Sequence, residues 1–242
     1  ALSFGTLPEA VQLERQEDKS EFLKAYAQTY LKEEVQMEGI TRNLQAFRRF
    51  LPLAAVENGH IIYWANFAQD VGIDAKTVRA YFQILEDTLV GFFLPAYHRS
   101  IRKRQKIHPK FYLFDPGVQR ALAGELTQFL LPQTTEFGRA FEHFFLLEII
   151  RMNEYKRADY SFSYLATHDI EIDLVIERPG RSLLFVEFKS SERVKDSELK
   201  PLVSVVRDVK KSEGICICRE SQKRKVEDVL VCPWQEAMLE IF

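Results

Sequence analysis

The sequence predicts a mixed fold of α/β class (α+β overall) in two parts. Three observations carry this. Apolar stripes at helical spacing and capping signals fill the first quarter. A helix-turn-helix pattern with two short strand-like runs follows it. From about residue 131, apolar runs of strand length alternate with helical stretches. The expected boundaries are a helical region over 1–60, a winged-helix domain over 61–130 and an α/β domain over 131–242, with Thr127 to Thr135 as the link.

In chain order, Phe22, Leu23, Tyr26, Ala27, Tyr30 and Leu31 form one stripe of a helix starting near Ser20. Leu44, Phe47, Phe50, Leu51 and Ala54 form another, kinked or interrupted by Pro52. Asn66 is expected to cap a helix through Asp70, with Gly72 breaking it. Asp74 caps a second helix bearing Val78, Tyr81, Phe82 and Leu85. The runs Leu89 to Pro95 and Lys110 to Phe114 then flank a basic segment as a hairpin, which makes a winged helix with a cationic wing. Asp115-Pro116-Gly117 opens a short helix to Ala123, ended by Gly124.

The second part reads as a helix over 138–152, strands near 160–166, 170–176 and 183–189, a helix over 196–211, and strands over 214–218 and 229–232. Alternate strand residues share a face, so Glu187 and Lys189 project together about 6.7 Å apart. In the preceding strand Ile170, Ile172, Leu174 and Ile176 form one face, leaving Asp173 on the other. A loop of Pro179-Gly180-Arg181 sets Asp173 directly across from Glu187, whereas a four-residue loop would spoil the match. Two carboxylates this close repel unless a cation sits between them. Oxygen ligands without His or Cys favour Mg²⁺ or Mn²⁺. Lys189 would then orient water or neutralise phosphoryl oxygens. The bland alternative is an exposed Glu-Lys pair on a strand end. On the upstream helix, Glu142 has Phe145, Leu146 and Ile149 among its helical neighbours, a costly place for a carboxylate unless something satisfies it. Glu148, followed by Arg151 and Met152, reads as a solvated flank, and His143 as an ordinary partly buried histidine.

A helix Glu142, a strand Asp173, then Glu187-Phe188-Lys189 on the next strand resembles the signature of the PD-(D/E)XK nuclease superfamily. The stretches at 4–9, 76–82, 109–117 and 138–142 extend the likeness over nearly the whole chain. Together they resemble the C-terminal DUF4143-type region that follows an AAA-type ATPase domain in a large prokaryotic family. The resemblance implies a restriction-endonuclease-like core and Mg²⁺-dependent hydrolysis of DNA phosphodiesters. Glu142, Asp173 and Glu187 would hold the metal, with Lys189 acting beside it, and the partner would be the ATPase that residues 1–60 normally follow. No Gly-x-x-x-x-Gly-Lys-[Ser/Thr] is present, so no nucleotide site is expected. The chain begins at Ala1 without Met and reads as a fragment or an engineered piece.

Charge adds a DNA-binding expectation. Arg99, Arg102, Lys103, Arg104, Lys106 and Lys110 follow one another unopposed by any acid, and Lys76 and Arg79 lie on the second helix of the helix-turn-helix. The formal net charge of −2 gives no global pull toward nucleic acid. A non-catalytic reading competes: a DNA- or protein-binding module, or one that regulates the ATPase. Three cysteines, Cys216, Cys218 and Cys232, two of them in an apolar run, suggest buried thiols in a reducing compartment. No apolar run approaches the ~20 residues that cross a bilayer, and a cytoplasmic protein without a membrane partner is expected. Trp64 and Trp234 have no evident role.

Overall fold

The structure is a computed structural model that describes residues 1–30, 44–98, 100 and 107–242. The protein is mixed α/β and divides into two compact units. The first comprises Ala1–Phe93 and His108–Leu130, the second Leu94–Ile107 and Leu131–Phe242. No described helix is long and apolar enough to cross a membrane.

The first unit contains α1 (Pro8–Gln12), α2 (Gln16–Ala25) running into a π-helical turn at Tyr26–Tyr30, α3 (Leu44–Val56), α4 (Trp64–Val71) and α5 (Ala75–Asp87). The paired strands β1 (Gly91–Leu94) and β2 (Lys110–Leu113) and helix α6 (Pro116–Ala123) complete it. One core, with a cluster of rings in it, joins the elements before and after residue 60. Phe50 and Phe82 meet edge-on with centroids 4.8 Å apart, and Phe67, Tyr81 and Phe111 pack around them. Helix α3 continues through Pro52. Losing a helical hydrogen bond there costs about 3 kcal/mol, which the burial of Phe47, Phe50, Leu51, Ala54 and Ala55 on the same helix outweighs.

Local signals set most helix ends. The Asp74 side chain accepts from the Lys76 and Thr77 amides, both at 2.9 Å. Gly72 and Gly124 close α4 and α6 in the left-handed region. Asn66 does not cap α4: the helix starts at Trp64 after Tyr63, which makes no side-chain cap, because Trp64 and Phe67 bury against the ring cluster and draw the first turn upstream. Asp115 caps α6 through the Gly117 and Val118 amides and also accepts from the amide and hydroxyl of Thr6, at 2.7 and 3.0 Å. The segment beside it needs glycine twice. Gly5 has φ +70, and a Cβ there would stand 1.9 Å from Asp115 Oδ1, while one on Gly117 would stand 2.4 Å from the Phe4 carbonyl oxygen.

The second unit begins with α7 (Thr135–Lys156), followed by β3 (Ser161–Ala166), β4 (Glu171–Glu177) and β5 (Leu183–Phe188). A 3₁₀ turn at Asp196–Leu199 leads into α8 (Lys200–Asp208). Strands β6 (Ser212–Cys218), β7 (Arg224–Val226) and β8 (Val229–Pro233) and helix α9 (Ala237–Ile241) follow. Six strands form one sheet in the order β3-β4-β5-β6-β8-β7, in which β5, β6 and β8 are mutually parallel and the other pairings antiparallel. Helix α8 and the 3₁₀ turn before it cover one face, burying Leu199, Leu202, Val205 and Val206 with Ile172, Val175, Phe185 and Cys216. No residue of α7 belongs to that cluster. Its buried side is elsewhere, with Phe145 against Trp234 just past β8.

The expected helix over 196–211 is shorter, and Val209 at its end is already extended. The Ser212 hydroxyl takes up the Val206 and Val209 carbonyls that the helix leaves open. At the opposite end of the hairpin from Lys189, Arg178 is buried. It donates to the Ser182 carbonyl and, at 2.6 Å, to Glu213. The outer edge of β3 is met by residues 95–97: the Tyr164 amide donates to the Pro95 carbonyl at 3.0 Å, and the Tyr97 amide to the Tyr164 carbonyl at 2.5 Å.

Candidate active site

The hairpin β4–β5 pairs Leu174 with Val186, Val175 with Phe185 and Ile176 with Leu184. Continuing that register by one rung sets Asp173 opposite Glu187. On its other side β4 does not keep a plain two-residue period. Ser163 pairs with Val175 but Leu165 pairs with Ile172, so Asp173 and Leu174 together oppose Tyr164. This is a β-bulge, with one surplus residue in β4. Ile172 and Val175 consequently share one apolar cluster, which strict alternation from Ile172 forbids. The face assignment from sequence therefore holds for β5 and fails across the bulge, at the residue that carries the candidate carboxylate.

Around this rung the polar contacts are close. The Phe188 amide donates to Asp173 Oδ2 at 2.8 Å. Lys189 Nζ donates to Glu187 Oε1 at 2.7 Å, and the two side chains are 31% and 13% exposed. Glu187 Oε2 is buried and has no hydrogen-bond partner among the described residues. Burial first, and then the negative charge of Asp173, push the Glu187 carboxyl up to about 7 against the pull of Lys189. For Lys189 burial acts downward, but the charge and hydrogen bond of Glu187, with Asp173 behind them, outweigh it and its pKa is raised. Both shifts point the same way. The cluster holds protons more firmly than water would, so it has a surplus of negative charge in a poorly solvated place.

Glu142 lies partly buried on α7, one turn after Gly138. A Cβ on Gly138 would stand 3.7 Å from Ser190 Oγ, which brings that turn of α7 against the end of β5. Asp173, Glu187 and Lys189 are thus drawn together electrostatically. Glu142 is on the adjoining helix. Among the described residues no three His, Cys, Asp or Glu side chains are grouped so as to hold a metal ion. His143 is buried. Glu148 pairs with Arg151 at 2.8 Å at the surface, as its flanking position suggests.

The cationic residues expected to meet phosphates divide. Arg99, Arg102, Lys103, Arg104 and Lys106 lie outside the described residues. Lys110 opens β2 and is 3% exposed, so it does not offer its charge to a phosphate at the surface; the charge run could not show this burial. Lys76 and Arg79 are exposed on α5, and the Arg79 guanidinium lies 5.3 Å from the Trp64 ring centroid. Trp64 itself packs edge-on against Phe82 and Phe93. Cys216, Cys218 and Cys232 are free and buried, as their apolar surroundings predict. Cys216 pairs across from Glu187 in the parallel β5–β6 ladder.

Comparison with known proteins adds family membership. Residues 1–128 match the family model of a domain of unknown function, DUF8612, and residues 137–237 match that of another, DUF4143. The DUF4143 likeness thus rests on the second unit. The stretches at 4–9, 76–82 and 109–117 fall in the DUF8612 match. An uncharacterized protein of Mycobacterium tuberculosis and one of Mycobacterium bovis are each 28% identical to the chain over 178 residues. The alignment takes in 73% of this chain and 40% of each relative, so the chain spans well under half the length of these curated relatives. No solved structure matches. The chain belongs to the DUF8612 family and carries a DUF4143 domain in its C-terminal part.

Proposed function

We propose that the second unit is a PD-(D/E)XK nuclease-like domain that hydrolyses DNA phosphodiester bonds with Mg²⁺, and that the first unit contacts the DNA through a winged helix. In the longer protein both act with an AAA-type ATPase domain. The observation that carries the catalytic reading is the buried, unpartnered Oε2 of Glu187 beside Asp173. An oxygen that has lost water and gained no donor is costly, and a hard cation held by Glu187 and Asp173 would remove that cost. The order α7, three antiparallel strands, α8 and a parallel β6 supports the same architecture. Helices α4 and α5 followed by the β1–β2 pair support the winged helix, with Lys76 and Arg79 as its described phosphate contacts.

The donor set fits Mg²⁺ or Mn²⁺ in kind, because Glu187, Asp173 and Glu142 supply oxygen only. Glu187 and Asp173 would hold the ion, and Glu142 would join them from α7. The ion would supply Lewis acidity to a phosphoryl oxygen and a water of lowered pKa. Lys189 keeps Glu187 Oε1 oriented, and its remaining donors are placed for a non-bridging phosphate oxygen as negative charge develops there. The Phe188 amide fixes the rotamer of Asp173. The test is cleavage of plasmid and linear DNA with Mg²⁺, using Asp173→Ala as control. Metal-dependent cleavage lost in the variant supports the reading, and equal background from both proteins sinks it.

One observation favours a second reading, in which the same units bind DNA or the ATPase without cleaving. The three carboxylates do not form a three-ligand group as described, and Lys189 already engages one of them. DNA binding by a wild-type protein inert with Mg²⁺ and Mn²⁺ would select it.

A further inference from the structure

We propose that Arg219 is a phosphate-binding residue of this site, gripping a backbone phosphate of the nucleic acid beside Lys189. The inference rests on the nucleic-acid reading above and names a residue outside the four-residue signature.

Its place follows from the ladder. In the parallel β5–β6 pair Glu187 lies across from Cys216 and Phe188 across from Ile217. The pairing persists past the strand ends: the Lys189 amide donates to the Ile217 carbonyl at 2.9 Å and the Arg219 amide to the Ser191 carbonyl at 3.0 Å. The register thus sets Ser190 across from Arg219, and Arg219 leaves the carboxyl edge of β6 one rung beyond Lys189, on a strand about 4.8 Å away in the pairing direction. That edge is where open α/β sheets expose their ligand sites.

The direction of the side chain is also set. The Arg219 guanidinium rests 5.3 Å from the centroid of Phe137, in the first turn of α7. The next residue, Gly138, faces Ser190, and Glu142 is one turn further on. The arginine is stacked on the element that supplies the third candidate carboxylate, beside the end of the strand that supplies Glu187 and Lys189.

Its partners leave it exchangeable. Among the described residues its acid partner is Glu192, at 2.7 Å, a side chain 73% exposed while that of Arg219 is 26% exposed. A pair so open to water is worth at most about 1 kcal/mol, and a phosphate offers the guanidinium a bidentate acceptor in its place. Arg151 pairs with Glu148 at the surface further along α7, and Arg181 donates to the Tyr160 hydroxyl and the Ile241 carbonyl, while two more arginines of this unit are committed to structure. Arg178 is buried on Ser182 and Glu213, and Arg224 holds Glu220, Asp196 and the Val194 carbonyl. Arg219 combines a fixed platform with a replaceable partner, as a phosphate-recognising side chain requires.

The experiment uses the full chain, a fluorescein-labelled 12-base-pair duplex and Ca²⁺, with cleavage of the same duplex in Mg²⁺ measured in parallel. Arg219→Gln, which keeps the stem on Phe137, is expected to weaken binding about tenfold and to lower the salt slope by about one counterion. It should raise KM more than it lowers kcat. Arg219→Lys should fall between it and wild type, and Glu192→Gln should tighten binding about two- to threefold by releasing the guanidinium. The melting response to Mn²⁺ should be unchanged in all three. If Arg219→Gln binds with wild-type affinity and salt slope while wild type cleaves, the proposal is overturned and the catalytic reading stands. If wild type binds without cleaving and Arg219→Gln loses affinity, the grip is upheld and the catalytic reading falls. A wild type that ignores the duplex overturns both.

Discussion

Lys189 Nζ lies 2.7 Å from Glu187 Oε1, yet the other oxygen of that carboxylate is buried with no partner. One lysine therefore satisfies half of a carboxylate whose second half, next to Asp173, still calls for positive charge. Lys189→Met deepens that demand. Mn²⁺-induced stabilisation should persist or increase, while Mg²⁺-dependent cleavage should fall by roughly 100-fold or more, the scale for losing one transition-state donor. Thermal melts and single-turnover cleavage on the same preparation measure the two. Loss of the metal response would place Lys189 in ligand positioning instead.

The raised Glu187 carboxyl gives a pH signature in metal-free buffer. Its pKa goes from 4.5 to about 7 on folding, so between these values the native state binds more protons than the unfolded chain. Stability is then highest below about pH 4.5 for this group and declines as pH rises through 7, by at most about 3 kcal/mol. Urea unfolding at pH 5.5 and 8 should show the decline, and Glu187→Gln should flatten it. A slope identical in the variant would assign the pH dependence to other groups.

Asp173→Asn separates structure from function. An asparagine oxygen can still accept the Phe188 amide, but the repulsion that adds to burial in raising Glu187 is gone. The variant should be more stable than wild type at pH 8 without metal, by about 1 kcal/mol, while losing both the Mn²⁺ response and cleavage. A destabilised variant would mean that Asp173 serves the fold in its charged form.

Two helix caps in the first unit should differ in cost. Asp74 is exposed, and removing its contacts to Lys76 and Thr77 by Asp74→Ala should cost about 1 kcal/mol. Asp115 is 1% exposed, caps α6 and also accepts twice from Thr6. Asp115→Ala strands those buried donors and should cost about 3 kcal/mol. Chemical denaturation of both variants checks the order, and equal losses would count against the Asp115 bridge.

What the sequence disclosed depended on whether the signal was local. Asp115-Pro116 and Gly124 mark both ends of α6, and Asp74 marks the start of α5, because a cap is made by residues within one turn of it. The hairpin register was readable from its turn, and with it the approach of Asp173 to Glu187. The bulge was not, since the surplus residue is defined by the partner strand β3 and leaves no mark in β4. Strand β7, Arg224-Lys225-Val226, has no apolar alternation and forms because β8 offers it an edge. Lys110 was grouped with the basic run by composition, although its position at the start of β2 buries it. Arg219 carries no mark in the sequence because its neighbours say nothing of Phe137, 82 positions earlier in the chain.

The strand-like contact of residues 95–97 with Tyr164 has a practical consequence for anyone dissecting this protein. Leu94–Ile107 belong to the second unit although they precede the last part of the first, so no single cut releases the second unit intact. A truncation beginning at residue 131 would look sensible from the linker alone. It would strip β3 of its cover and leave the Tyr164 amide and carbonyl open on a bare sheet edge, a template for pairing with a second chain. Such a fragment is expected to self-associate, and a failure of the proposed cleavage in it would report the missing cover of β3 and not the chemistry of Glu187.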